Sequence, residues 1–235
     1  MESVCFDLDD TLFDYEQYAR AGLESAADRL AELTGRRHHE ELLETYFDDG
    51  ITEGTFDVLA NRYDLSSEIV DGLIEAYHDS SGPLMPYPET ERTLERLGDE
   101  YRLGLITDGR GGHAKLHRLG IEHFFDEVLV TPVVGRSKAE PAVFEHVLAK
   151  LSVPPEAAVY VGDDPRVDFR EPNEFGMGTV RIRRGRFVDI EPPGAEFAPD
   201  HEIRRLDEVI DLLDGETTPE KRERHSVRSR RTNGR

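Results

Sequence analysis

The chain has no tryptophan, a single cysteine and only four lysines among its 29 basic residues. Each shortage excludes something. Cys5 alone cannot form an intrachain disulfide, and it lies within the apolar run "SVCF", where a small buried side chain fits. No apolar run approaches the roughly 20 residues that a membrane-crossing helix needs, so no membrane span is expected. No charged-then-apolar leader opens the sequence, and the default expectation is a cytoplasmic protein. Positive charge is also scarce. Fifty acidic residues against 29 basic ones leave a formal net charge of -21. Such a surface repels phosphate backbones, which argues against nucleic-acid binding by the body of the chain.

What is present is acid and a regular apolar pattern. The acid-rich, lysine-poor composition resembles that of proteins from salt-loving archaea. At 235 residues there is room for one large domain, or for a core domain with a smaller insert. Apolar residues recur with regular periods up to about residue 214, which rules out disorder there. The first strand is "SVCFD", residues 3 to 7. Residues 15–82 then hold helical patterns only: Leu23, Ala26, Ala27, Leu30 and Leu33 keep helical spacing up to Gly35, followed by "HEELLETYF", "FDVLANRY" and "SSEIVDGLIEAYHDS". The proline-rich "SGPLMPYP" closes this insert. Beyond it, helices alternate with the strands "YRLGLIT", "EVLVT", "EAAVYVGD" and "GTVRI". Alternation of this kind predicts an α/β fold with a doubly wound parallel sheet. The core is expected to span residues 1–14 and 83–214, with 15–82 as an inserted helical domain. Residues 215–235 read as a disordered basic tail, with seven basic residues (Lys221, Arg222, Arg224, Arg228, Arg230, Arg231, Arg235) against the acids Glu216, Glu220 and Glu223.

Parallel sheets bind ligands at the C-terminal ends of their strands, and there the chemistry of this chain collects. After "SVCF" come Asp7, Asp9 and Asp10. After "YRLGLI" come Thr107, Asp108 and Gly109. Lys138 follows "EVLVT" across a short loop, and "AAVYV" runs into Gly162, Asp163 and Asp164, with Asp168 beyond. Alone, "DLDD" could be a solvated turn in an acid-rich chain. Four strand ends in succession, carrying carboxylates, a hydroxyl and a rare lysine, call for a common cause. Carboxylates crowded into a pocket repel one another unless a cation or a catalytic task offsets the repulsion.

The four segments resemble the motifs of the haloacid dehalogenase-like hydrolase superfamily, in the branch whose helical cap is inserted between the first and second motifs. "DLDDT" is similar to the first motif, D-x-D-x-T. "LITDG" is similar to the second, "SKAEPAVF" to the third and "VYVGDD" with Asp168 to the fourth. The resemblance implies a Rossmann-like core and a small helical-bundle cap. It further implies a Mg²⁺-dependent phosphatase that acts on a small phosphorylated metabolite through an aspartyl-phosphate. Asp7 would be the nucleophile and Asp9 the general acid and base. Mg²⁺ would be held by the Asp7 and Asp163 carboxylates and the Asp9 carbonyl. Thr107 and Lys138 would contact the phosphoryl group, while Asp164 and Asp168 would support the metal or bind it directly. Relatives that cleave carbon–halogen bonds lack the second aspartate of the first motif, because a halide leaves without a proton. Asp9 therefore favours phosphate chemistry.

Two departures stand out. The proline usual after the motif-three lysine is Ala139 here, and Pro172 in "VDFREPNEFGM" predicts a shortened helix after motif four. "RIRRGR" (181–186) follows the next strand and reads first as a solvated basic turn, with an approach to the site as the alternative. The cap would choose the substrate, with the "DDGITEGTF" loop (48–56) facing the site; phosphoglycolate, a sugar phosphate or a nucleoside monophosphate are the candidates. A phosphomutase of the same superfamily is the alternative within the class, and a nucleic-acid-binding protein acting through the tail is the alternative outside it.

Charge of this density makes stability depend on salt. As KCl falls from about 1 M to about 0.1 M, the Debye length grows from about 3 to about 10 Å and surface carboxylates repel over longer range. The melting temperature is expected to fall across that series; a flat response would contradict the reading.

Overall fold

The computed structural model describes residues 1–216, so the basic tail lies almost wholly outside the described residues. Six strands form one all-parallel sheet: β1 (Ser3–Phe6), β2 (Arg102–Thr107), β3 (Glu127–Val130), β4 (Ala158–Gly162), β5 (Gly178–Ile182) and β6 (His201–Ile203), in the spatial order β3-β2-β1-β4-β5-β6. The order follows from burial. β1 and β4 are buried at every position, as continuous apolar runs covered on both faces must be. They take the centre, and the chain winds outward to one side and then returns to wind to the other. That reversal beside β1 is where a doubly wound sheet opens a crevice.

Helix α7 (Pro141–Leu151) covers one face, burying Val143, Phe144, Val147 and Leu151 together with Cys5, Ile106 and Tyr160. Gly104 permits that approach. A Cβ there would lie 2.8 Å from the Cys5 sulfur and 3.2 Å from Leu151 and Val147 methyls. The helix after the fourth motif, α8 (Arg170–Phe175), has six residues. Pro172 sits in its first turn, where a missing N–H leaves no hydrogen bond unmade. β6 has no counterpart in the sequence reading: three residues, "HEI", are too short to show a period.

The described residues divide into two compact units, one built of Met1–Phe13, Pro86–Gly112 and 121–216, the other of Asp14–Met85 with His113–Gly120. In the second, α1 (Tyr15–Thr34) ends at Gly35, whose φ of +76° and N–H bond to Ala31 O close the helix. α2 (His39–Leu43) runs on through a π-helical turn, Glu44–Asp48, and α3 (Thr55–Tyr63) and α4 (Ser67–His78) complete the bundle. Gly22 lets the Tyr77 ring lie directly on α1, since a Cβ would come within 2.5 Å of that ring. α5 (Thr90–Gly98) lies in the first unit, whereas the segment "HAKLHRLG", which forms most of α6 (Gly112–Leu119), groups here rather than with the sheet. Its Lys115 ammonium lies 4.3 Å from the Tyr18 ring centroid, and Arg118 Nε donates to Gly82 O at 2.9 Å.

Candidate active site

Strand register brings the motif residues to one edge of the sheet. Phe6 pairs with Leu105 of β2 on one side and Val161 of β4 on the other, so the residues just past each strand emerge at one level. Asp7 adds one more rung, its N–H donating to Val161 O at 2.9 Å. Lys138 reaches this edge from the loop before α7. Its Nζ lies 2.7 Å from Asp7 Oδ1, 2.6 Å from Asp168 Oδ1 and 3.4 Å from the Tyr160 hydroxyl. Asp7, Lys138, Asp163 and Asp168 are all buried.

The carboxylates are not equivalent. Asp168 Oδ1 is taken by Lys138, and its Oδ2 accepts from the N–H groups of Asp163 (3.0 Å) and Asp164 (2.9 Å). Both oxygens are thus committed to orienting the lysine and the fourth-motif loop. Asp164 is committed too, in a two-point pair with Arg166 at 2.9 and 2.8 Å. Asp163 differs. Its Oδ1 accepts from the Thr11 hydroxyl at 3.3 Å, but its buried Oδ2 has no hydrogen-bond partner among the described residues. Asp7, Asp163 and Asp168 each offer a carboxylate oxygen within 4.8 Å of the others. Asp9, half-buried on the turn after β1, lies outside this triad.

Three carboxylates around one ammonium leave negative charge uncompensated. Burial pushes the Asp7 carboxyl up to about 7; Lys138 opposes the shift, and Asp168 and Asp9 add to it. Burial likewise raises Asp163 well above the usual carboxylate range, reinforced by Asp7, Asp168 and Asp10. For Lys138, burial disfavours the charge, yet Asp168 and Asp7 outweigh it and hold the ammonium well above its ordinary value. An orphaned buried oxygen on Asp163 beside Asp7 is what a hard divalent cation would complete. The donor set is all oxygen and fits such an ion.

Thr107 is buried at the end of β2, its Oγ1 accepting from Gly109 N–H at 3.1 Å. Its neighbour Asp108 has a part the sequence reading did not assign. Asp108 Oδ1 accepts from Lys138 N–H at 2.9 Å and from the Thr131 hydroxyl, and its Oδ2 accepts from Ser137 Oγ at 3.3 Å. It ties the loop bearing Lys138 to the end of β2, a loop that carries Ala139 where a proline is usual. Tyr160, a β4 residue, also went unassigned; only its position in the middle of an apolar strand hinted that its hydroxyl would need a buried partner. "RIRRGR" is exposed only at Gly185 and Arg186. Arg181 is fully buried and donates to Asp163 O at 3.3 Å, Phe187 O at 2.8 Å and Ile190 O at 2.7 Å.

A family model described as haloacid dehalogenase-like hydrolase matches residues 1–171. A glyceraldehyde 3-phosphate phosphatase of Methanopyrus kandleri is 37% identical, the alignment covering 91% of this chain and 97% of that protein. A ribulose-1,5-bisphosphate 5-phosphatase of Halopiger xanaduensis is 30% identical over 90% of this chain and 98% of its own length. Among solved structures, a HAD phosphatase from Thermococcus onnurineus superposes with a TM-score of 0.64 at 30% identity, covering 93% of this chain and 100% of that one.

The raised carboxyls predict a pH-dependent response to metal. A carboxyl whose folded pKa exceeds its unfolded value favours the folded state below the ordinary range, and loses that contribution as pH rises through about 7 for Asp7. A divalent cation binds the deprotonated pair and restores it. In molar KCl, the rise in melting temperature on adding Mg²⁺ should therefore be small near about pH 5 and larger near about pH 8. Equal rises at both would count against a cation at Asp7 and Asp163.

Proposed function

The chain belongs to the haloacid dehalogenase-like hydrolase family and is a phosphatase of that family; from this we propose that it hydrolyses a short sugar phosphate, glyceraldehyde 3-phosphate or a close analogue, with Mg²⁺ at the Asp7–Asp163 site. The observation that carries the chemistry is the buried Asp7–Lys138–Asp168 array with Asp163 beside it and Asp9 two residues along. The end-to-end similarity to a glyceraldehyde 3-phosphate phosphatase narrows the substrate.

In this reading Asp7 attacks phosphorus, the P–O ester bond breaks, and Asp9 gives its proton to the departing alkoxide. Asp9 then takes a proton from the water that attacks the aspartyl-phosphate, which releases inorganic phosphate and returns Asp7. Lys138 and the Thr107 hydroxyl receive the phosphoryl oxygens. A Mg²⁺ ion held by the Asp7 and Asp163 carboxylates and the Asp9 carbonyl would supply positive charge that Lys138 alone cannot. Asp168 fixes Lys138 from the far side, and Asp108 fixes the loop that carries it. Asp9 separates this chemistry from dehalogenation, since a halide needs no proton to leave.

The test is phosphate release by purified protein in molar KCl with Mg²⁺, comparing glyceraldehyde 3-phosphate, ribulose 1,5-bisphosphate, phosphoglycolate and a nucleoside monophosphate. A sugar phosphate should turn over fastest, and excess chelator should stop the reaction. Asp7→Asn should abolish turnover, whereas Asp9→Asn should trap a phosphoenzyme on Asp7 after an activated donor. Undiminished activity in chelator, or label on a histidine or serine, would overturn the assignment. Transfer of the phosphoryl group to a second hydroxyl, with no phosphate released, would point to a mutase instead.

A further inference from the structure

The arginines that follow β5 close on the turn that carries Asp9. Arg184 is nearly buried, its side chain 13% exposed. Its Nε donates to Asp10 O at 3.2 Å, its Nη2 donates to Thr11 O, and its Nη1 pairs with Glu89 Oε1 at 2.6 Å. The guanidinium lies 3.7 Å from the Tyr87 ring centroid. Arg186 grips the same turn by its side chain, with Nε 2.5 Å from Asp10 Oδ2 and its own N–H 3.4 Å from that oxygen. Between them Gly185 has a φ of +68°, and a Cβ there would collide with the Asp10 carboxylate. Only glycine lets this loop come so close.

The gripped turn is itself unusual. Asp10 is fully buried and has a φ of +59°, a left-handed conformation that a residue with a side chain adopts at a cost. Such a backbone persists when its surroundings over-determine it, and here two arginines do so. A buried guanidinium is costly unless its donors are satisfied. Those of Arg184 are spent on two consecutive carbonyls of one turn and on Glu89. The neighbouring Asp7 needs none of this, because β-pairing to Val161 and the Lys138 ion pair hold it independently.

We propose that Arg184 and Arg186 are positioning residues for the phosphatase reaction: by holding the Asp10–Thr11 turn from outside, they set where the Asp9 carboxyl meets the leaving oxygen. The inference rests on the assignment of Asp9 as the proton donor to that oxygen. Its signature is selective. If the turn loosens, Asp9 moves while Asp7 stays, so esters that need a proton to depart should suffer and activated esters should not. A merely structural defect would lower both alike.

The experiment compares glyceraldehyde 3-phosphate, an alkyl ester, with p-nitrophenyl phosphate, whose phenolate departs with little help, in wild type, Arg184→Lys, Arg186→Lys and Asp9→Asn. Lysine keeps the charge but loses the fork that spans two carbonyls. For Arg184→Lys, kcat/KM on the alkyl ester should fall by about 30–100-fold, as misplacement of a proton donor does, and on the aryl ester by less than about 5-fold. Asp9→Asn, which halts at the phosphoenzyme, should split the two esters in the same direction and more widely when the first-turnover release of the leaving group is compared. If Asp9→Asn lowers both equally, the role of Asp9 is wrong and the proposal falls with it. If Asp9→Asn splits the esters but both arginine variants treat them alike, the proposal alone is overturned. Should Arg184→Lys fail to fold, Arg186→Lys carries the same test, since it leaves the Arg184–Glu89 pair in place.

Discussion

Uncompensated negative charge at the end of β1 is the constraint on which the rest of this structure depends. Asp7, Asp163 and Asp168 bring carboxylate oxygens within 4.8 Å of one another around the one ammonium of Lys138. Left to itself that arrangement would drive its members apart or protonate them: burial raises the Asp7 and Asp163 carboxyls, and the neighbouring carboxylates add to the shift. Everything nearby serves to keep the groups in place regardless. Asp168 spends both oxygens on Lys138 and on two backbone amides. Asp108 pins the loop that delivers the lysine. What remains unsatisfied, the inner oxygen of Asp163, marks where outside charge is wanted.

The sheet makes such crowding feasible. Four of its strands end at one edge in a fixed register, so side chains from residues 7, 138 and 163 converge without any of them being close in sequence. Fully buried central strands are stiff supports. Strain is displaced outward, into the left-handed turn at Asp10 and the arginine loop folded against it. Rigid strands carry Asp7 and Asp163, the proposed nucleophile and metal ligands, while a braced turn carries Asp9, the residue assigned to proton transfer.

Much of this was legible in the sequence. Continuous apolar runs marked β1 and β4, and the alternation of strands and helices predicted the parallel sheet, because those patterns are local. Family membership, the α/β fold and phosphatase chemistry followed from four motifs in order. Other features depend on distances that no local pattern encodes. Asp168 reads as another acid near a metal motif until its two oxygens are found occupied. Asp108 looks like a turn residue, and Tyr160 like core. "RIRRGR" has the composition of a solvated turn, yet Arg181 is fully buried, because the backbone carbonyls that accept its protons come from Asp163 and from the loop at Phe187 and Ile190. "HAKLHRLG" has the amphipathic period of a sheet-covering helix, and only the placement of Lys115 against Tyr18 and Tyr15 shows where it belongs.

The scarcity of lysine has a practical consequence. Lys138 is sealed between two carboxylates and Lys115 is buried against tyrosine rings, whereas Lys150, near the end of α7, is exposed. Among the described residues, an amine-reactive dye or a tethering surface therefore meets one accessible lysine on the native protein. Attachment through Lys150 would anchor the molecule by α7, whose buried face packs on the sheet, and would leave the ammonium beside Asp7 untouched as long as the fold holds. Acylation of Lys138 would then be a chemical record of unfolding.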